Sequence, residues 1–195
     1  RELESPLAEK SILGFDVGPE GQMAYLSWRE PGQNKPAVDL FYQQDGEWKS
    51  FKDFSYPLFN SNGFLLPMNP AFDPAGERLA VIRNLAGRDQ LQAASAYIIN
   101  LKTGEQSLLA DRALNVFWSP RGDYLAVGKV DGVEVLNTSG ELKLKLPDHD
   151  FYSIAGWSLD GQYLLFKEYA YEQSAWLTGL VDITCGQEQK IPGIP

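Results

Sequence analysis

The single histidine of the chain lies between two aspartates, in the segment Asp148-His149-Asp150. An imidazole flanked by carboxylates can titrate near neutral pH or bind a metal ion, so these residues are the first candidates for chemistry. Neighbouring side chains of an extended segment point to opposite sides and cannot converge on one ion without a turn. Calcium needs more oxygen ligands than two carboxylates supply. We therefore expect no metal site here and interpret the segment as an acidic loop available to a binding partner.

Ser158 and Cys185 are the other two candidates for a nucleophile, and the surrounding sequence argues against catalysis at both. Ser158 follows Gly156 at the spacing of a Gly-x-Ser-x-Gly nucleophile elbow, but Asp160 stands where the second glycine is required. Cys185 is the only cysteine; it can form no internal disulfide and precedes Gly186 in a predicted turn. No glycine-rich phosphate or dinucleotide loop is present. The residues therefore predict neither a catalytic site nor a cofactor.

Composition and charge restrict the classes of partner. The chain has 195 residues, and 17 basic against 26 acidic side chains give a formal net charge of −9. A protein with this charge repels nucleic acids and anionic lipid surfaces, so we expect neither as a partner. No stretch approaches the roughly 18 apolar residues of a membrane-spanning helix, and we expect no membrane insertion by this segment. A hydrophobic fraction of 44% excludes global disorder.

A repeat must position any functional residues. Four segments share an aromatic residue, a small polar residue, a turn with glycine and an apolar strand; the aromatics are Phe15, Phe72, Trp118 and Trp157. The turn glycines Gly21, Gly76, Gly122 and Gly161 recur at intervals of 55, 46 and 39 residues. A second glycine turn follows in each segment, at Gly46, Gly104, Gly140 and Gly186. Two hairpins give four strands per repeat, which at this period is typical of a β-propeller blade.

We therefore predict an all-β chain that forms a β-propeller of four-stranded antiparallel blades. The blades are expected at about 10–52, 66–111, 112–147 and 151–191, within a propeller domain of residues 10–191. Residues 1–9 are expected to be a tail or an edge strand, and residues 192–195 a tail. The four repeated aromatics are expected to be equivalent wedges between blades. The apolar run 79–82 predicts a strand buried on both faces, whereas alternation of Leu142, Leu144 and Leu146 with lysines predicts one buried face.

The third repeat carries a resemblance to a known family. Its element W-S-P-R-G-D-Y-L-A-V, residues 118–127, and the Thr103-Gly104-Glu105 turn of the second repeat resemble the TolB-like (WD-like) repeat of bacterial β-propellers. The resemblance covers about residues 10–191. It implies a fold and no catalytic residues, because the repeat itself is structural. Family members are mostly periplasmic, secreted or appended to other domains, and many bind proteins, so the resemblance implies a periplasmic, secreted or otherwise extracytoplasmic domain.

Four blades leave three ways to bury the outer faces of the first and last blade. The chain can close as a four-bladed ring, form part of a larger propeller, or associate with itself through the exposed blade faces as a homo-oligomer.

Long connections between strands are where we expect a partner to bind. The connections 29–37, 53–69, 84–95, 147–152 and 168–175 fall on one face by strand parity, opposite the tight glycine turns. This long-loop face is rich in aromatic and acidic residues, which suit protein recognition. The predicted binding residues are Tyr56, Phe59, Asp148, His149, Asp150, Tyr152, Tyr169, Tyr171 and Glu172.

Three functional hypotheses follow. The first is a non-catalytic binding or scaffold module, the extracytoplasmic part of a bacterial protein that binds a protein or peptide, for instance as a sensor. The second is an accessory or catalytic propeller of a hydrolase, either lactonase-like or the gating domain of a peptidase. The third is a self-assembling structural module.

Overall fold

The computed structural model describes residues 11–29, 37–55, 69–85, 94–129, 131–146, 152–170 and 175–191, and the structural statements below concern these residues. They form four antiparallel sheets, each of four strands in sequence order. The strands of blades 1 and 2 are β1 (Ser11–Val17), β2 (Met23–Arg29), β3 (Ala37–Gln44), β4 (Glu47–Ser55), β5 (Ala71–Phe72), β6 (Arg78–Asn84), β7 (Ala94–Asn100) and β8 (Gln106–Asp111). Those of blades 3 and 4 are β9 (Ala113–Trp118), β10 (Tyr124–Lys129), β11 (Gly132–Asn137), β12 (Leu142–Lys145), β13 (Tyr152–Trp157), β14 (Tyr163–Ala170), β15 (Ala175–Asp182) and β16 (Glu188–Ile191). The predicted all-β repeat of four-stranded blades is confirmed.

Glycine turns connect the first strand to the second and the third to the fourth in each blade. All eight predicted turn glycines have a positive φ, between 70° and 87°. Side chains other than glycine are strained in that conformation, which explains why glycine recurs at these positions. In blade 3, for example, the backbone N–H of Gly122 donates to the carbonyl of Ser119 at 2.9 Å and closes the turn.

Packing between successive blades buries the central strands. The run 79–82 in β6 is buried throughout, as predicted, because blade 2 lies between blades 1 and 3. One hydrophobic cluster extends through blades 1 to 3, and a second joins blades 3 and 4 through residues such as Val135 and Phe166. The prediction for β12 is wrong at one position: Leu146 is buried, but Leu142 is 57% exposed. The strand is the outermost of its sheet, and its register with β11 shifts between Val135 and Leu136.

The first repeat is offset from the other three. In blades 2 to 4 the repeated aromatic residue comes directly before a residue whose backbone N–H donates to a carbonyl at the start of the second strand. In blade 3, for example, the N–H of Ser119, which follows Trp118, donates to the carbonyl of Tyr124 at 2.8 Å. In blade 1 the equivalent bond runs from Gly18 N–H to Gln22 O, also at 2.8 Å. Val17 therefore occupies the position of Phe72, Trp118 and Trp157, which we call the wedge position. The prediction that Phe15 is a wedge is wrong, because the turn begins at Gly18 and Phe15 lies two residues before the wedge position.

The wedge positions join each blade to the one before it. The indole N–H of Trp118 donates to the carbonyl of Ala71 at 2.9 Å, and that of Trp157 donates to the carbonyl of Phe117 at 3.2 Å. Between blades 1 and 2 the backbone N–H of Phe72 donates to the Asp16 carboxylate at 2.7 Å. In every case the acceptor belongs to the residue just before the wedge position of the preceding blade. This repeated contact holds the first strands β1, β5, β9 and β13 next to one another.

Candidate functional site

The first strands of all four blades line a central cavity of about 910 Å³. This volume lies within the range of pockets that hold small ligands or short peptide segments. The cavity is lined mainly by apolar side chains, with a few polar groups among them: Phe15, Asp16, Asn69, Pro70, Ala71, Phe72, Ile82, Leu114, Asn115, Val116, Phe117, Trp118, Ile154, Gly156 and Trp157.

Aromatic rings in this cavity remain open to solvent. Phe15 is 62% exposed and Phe117 is 38% exposed, although both belong to strands of the propeller. The neighbouring Trp118 is buried and hydrogen-bonded, so packing of the blades uses the wedge residue and leaves Phe117 free to contact a ligand. Exposed rings on a rigid strand provide apolar contact area at low entropic cost, as recognition surfaces require.

Two polar side chains, Asp16 and Asn115, line the cavity. The carboxylate of Asp16 receives the N–H of Phe72 and keeps further acceptor capacity, since an ionised carboxylate has about four acceptor sites. The amide oxygen of Asn115 is buried and has no hydrogen-bond partner among the described residues. That oxygen packs against Gly128 in the neighbouring strand β10 and is closed off from the cavity, so Asp16 is the side chain that could orient a ligand.

Two carboxyl groups in the turns of blade 4 have lowered pKa values. The Ser158 hydroxyl, which donates to Asp160 at 2.6 Å, is the largest cause of a lowered pKa of that carboxyl. The hydrogen bond from the Thr184 hydroxyl is the largest cause that lowers the pKa of Asp182 to about 2. Both carboxylates are therefore ionised at neutral pH and cannot act as proton donors there. Within the described part of the chain no three His, Cys, Asp or Glu residues are grouped as metal ligands.

Ser158 and Cys185, the two nucleophile candidates of the sequence analysis, both lie in or beside tight turns of blade 4. Ser158 Oγ accepts the backbone N–H of Tyr163 at 2.9 Å while its own proton goes to Asp160. Its hydroxyl thus closes a hairpin, and the lowered pKa of Asp160 makes that carboxylate a weak base for activating Ser158.

Most of the predicted binding residues lie outside the described residues: Tyr56, Phe59, Asp148, His149, Asp150, Tyr171 and Glu172. The backbone of the other two is placed. Tyr152 begins β13 opposite Glu168, and Tyr169 in β14 pairs with Trp176 in β15. The long-loop binding site therefore stays a prediction.

The central cavity extends toward the same face as the long connections. Neighbouring strands of a blade run in opposite directions. Each first strand therefore starts on the side of the propeller where the second strand ends and the third begins, which is the side of the long connections. Asn69 and Pro70, which precede β5, line the cavity on that side. Sequence reasoning missed this cavity. The signal in the sequence was the spacing of the first repeat, where Phe15 stands two residues further from the turn proline than Phe72 and Trp118 do.

No helix in the described ranges is long and apolar enough to cross a membrane.

Four antiparallel four-stranded sheets, joined in series by their first strands around a central cavity, define a β-propeller. No model of a known protein family matches the chain, and no curated protein matches its sequence. Several solved structures are similar to the chain in fold. The β-propeller domain of the Trilobed protease from Pyrococcus furiosus superposes with a TM-score of 0.70 at 13% identity, over 93% of this chain and 57% of that one.

Two further structures are similar in the same way. TolB from Acinetobacter baumannii gives a TM-score of 0.60 at 16% identity, over 93% of this chain and 43% of that one. Uncomplexed acylaminoacyl peptidase from Pyrococcus horikoshii gives 0.68 at 15% identity, over 93% of this chain and 32% of that one. At these identities the similarity shows the β-propeller fold, and TolB is among the proteins that share it. The chain spans less than two thirds of each of these proteins.

Proposed function

We propose that the chain is a non-catalytic β-propeller module that binds a protein or peptide segment in its central cavity and on the adjoining long-loop face. The observation that carries the proposal is the cavity itself, with Phe15 and Phe117 exposed on strands whose packing does not need them. The surrounding charge favours a particular kind of segment. A net charge of −9 attracts a basic partner and repels an acidic one.

Selection of peptides from a random displayed library against the purified chain tests this proposal. Peptides that bind in the cavity should be basic and apolar, and should lose about tenfold in affinity with Phe15→Ala, equivalent to about 1.4 kcal/mol. The matched control is Leu108→Ala, which removes another half-exposed apolar side chain, from the outermost strand of blade 2. Selected peptides that bind Phe15→Ala and wild type equally would show that the cavity is not the binding site.

The long-loop face is tested separately with the triple variant Tyr152→Ala, Tyr169→Ala and Tyr171→Ala. If the partner also contacts this face, the variant should weaken capture of the selected peptides while its melting temperature stays close to that of wild type. Equal capture by the triple variant would restrict binding to the central cavity.

An extracytoplasmic location in a bacterial cell is part of the same proposal. Its support is the resemblance of the repeat to TolB-like propellers, together with the fold shared with TolB. Fusions of the natural full-length protein to alkaline phosphatase and to β-galactosidase distinguish the compartments. Only the phosphatase fusion should be active, and an active β-galactosidase fusion would contradict the proposal.

A second candidate is the accessory propeller of a peptidase or another hydrolase. It is favoured by the fold shared with the propeller domain of the Trilobed protease and by the small share of acylaminoacyl peptidase that the chain spans. A hydrolase domain in the same reading frame would support it. Turnover of a lactone or of an esterase substrate by the purified chain would instead favour the catalytic version.

A further inference from the structure

A single carboxylate lies on the wall of the central cavity. The residue just before the wedge position lines the cavity in all four blades, and this position is held by Asp16, Ala71, Phe117 and Gly156. Asp16 has the one charged side chain among the described residues of the lining, which include no lysine or arginine. The cavity therefore places one formal negative charge in surroundings that are otherwise uncharged and mainly apolar.

Asp16 also joins blade 1 to blade 2, and this role does not require its charge. Its Oδ2 accepts the backbone N–H of Phe72 at 2.7 Å. At the next two junctions the acceptor from the same position is an uncharged main-chain carbonyl, of Ala71 and of Phe117. Because an uncharged acceptor is sufficient at those junctions, the charge of Asp16 is left over from the packing of the blades.

Within the described part of the chain no cation neutralises Asp16. The ion pairs there use other carboxylates. Directly across from Asp16 in β2 is Ala24, whose methyl group donates no hydrogen bond. Oδ1 accepts no hydrogen bond from the described residues, and Asp16 is only half-buried. Oδ1 and the remaining acceptor site of Oδ2 are thus available to a donor from another molecule.

A segment that fills the cavity has to pair with this carboxylate. Covering Asp16 removes it from water, and a carboxylate without a partner in apolar surroundings is unfavourable. A cationic side chain that donates to it offsets this cost. The rings of Phe15 and Phe117 are exposed in the same cavity, and a cation or its methylene stem can pack on such rings. The cavity is therefore suited to a basic side chain rather than to a neutral or acidic one.

We propose that the bound segment inserts an arginine side chain whose guanidinium pairs with Asp16, so that Asp16 determines the specificity of the cavity. This inference rests on the proposed function, because it requires a peptide segment in the cavity. Arginine is preferred to lysine because a guanidinium is more weakly hydrated than an ammonium group and leaves water more easily. Its planar fork also allows one N–H to reach Oδ1 while a second reaches the remaining site of Oδ2.

Synthetic versions of the displayed peptides selected against the wild-type chain provide the probe. Peptides that lose affinity with Phe15→Ala should share an arginine, and replacing it with citrulline, a neutral isostere, should weaken binding about tenfold. Replacement with lysine should also weaken binding. Against Asp16→Asn the change to citrulline should cost less than about twofold, because the charge pair is already lost. The new amide oxygen still accepts the N–H of Phe72, so the melting temperature of Asp16→Asn should stay close to that of wild type.

The matched control is Asp45→Asn, which makes the same change in net charge in an exposed turn outside the cavity lining. Asparagine tolerates the φ of 52° at this position, so the variant should bind the peptides as wild type does. If Phe15-dependent peptides tolerate citrulline or lysine, the arginine assignment is overturned and the proposed function stands. Should Asp16→Asn fail to fold, the selected sequences decide, since Phe15-dependent peptides without arginine overturn the assignment equally. Peptides that all bind independently of Phe15 would instead contradict the proposed function, and the assignment with it.

Discussion

Replacement of Arg78 by methionine tests how the tight turns join blades 2 and 3. The Arg78 Nε donates to the buried carboxylate of Asp73 at 2.8 Å, and its Nη2 donates to the carbonyl of Gly122 in the next blade at 3.0 Å. The guanidinium also lies 4.7 Å from the centre of the Trp118 ring. Arg78→Met keeps most of the apolar stem and removes all three interactions at once.

The expected loss follows from these contacts. A hydrogen bond to a charged group contributes about 1.5–3 kcal/mol, and a partly exposed cation–π contact about 0.5–1 kcal/mol. Asp73 keeps the backbone N–H donors of Glu77 and Arg78, at 2.8 and 2.9 Å, so its carboxylate is not left unsatisfied. We therefore expect a loss of about 3 kcal/mol rather than the 3–5 kcal/mol of a fully orphaned buried charge. For a chain of this size that lowers the melting temperature by about 6–12 °C.

Urea unfolding and calorimetry measure the effect, and Arg121→Met is the matched control. Arg121 lies in the equivalent turn of blade 3, is 66% exposed and approaches Asp123 only to 3.7 Å, so its removal should cost less than about 1 kcal/mol. If the two variants lose the same stability, the contact between the turns does not stabilise the junction and the reasoning fails.

Two smaller predictions concern other turns. Gly46→Ala and Gly122→Ala both place a side chain at positive φ, but only the new side chain at position 122 meets Pro74. The Gly122→Ala variant should therefore lose about 1 kcal/mol more unfolding free energy than Gly46→Ala. Equal losses in the two variants would contradict this. Thr184→Val should raise the pKa of Asp182 from about 2 toward 3.8, as carboxyl NMR titration measures. Because the folded pKa is depressed, the stabilisation from Asp182 is present above pH 3.8 and is lost as pH falls toward 2. Wild-type stability should therefore decline more steeply across that window than that of Thr184→Val.

The fold could be predicted because its signals are local. About six residues determine each tight turn: a short polar residue, the glycine at positive φ and the apolar strand that follows. Repetition of that pattern then fixes the number of strands per blade. The buried run 79–82 follows from the same pattern, since a strand that is apolar on both sides must lie in a sheet covered on both faces.

The site was harder to predict because it depends on register and on contacts between blades. A shift of two residues keeps a side chain on the same face of its strand, so the pattern alone could not separate Phe15 from Val17 at the wedge position. Only the hydrogen bond from Gly18 to Gln22 distinguishes them. The predicted residues of the long connections carry the right types for recognition, but no periodic pattern defines their positions, and they stay a prediction.

Under the proposed function, departures from the repeat are the positions where this propeller would meet other molecules. Positions that serve packing are similar from blade to blade: an aromatic wedge that donates to the preceding sheet, and a proline on the glycine of the next turn. Leu159 stands where the other three turns carry a proline, and Phe15 lies two residues before the wedge position; they are the two most exposed large apolar side chains among the described residues. Burial of one such side chain by a partner contributes about 1.5–3 kcal/mol, whereas its exposure contributes nothing to the stability of the isolated chain. Under the proposed function Phe15 lines the central cavity, so a peptide that binds there should be sensitive to Phe15→Ala and not to a substitution of Leu159 in the turn of blade 4.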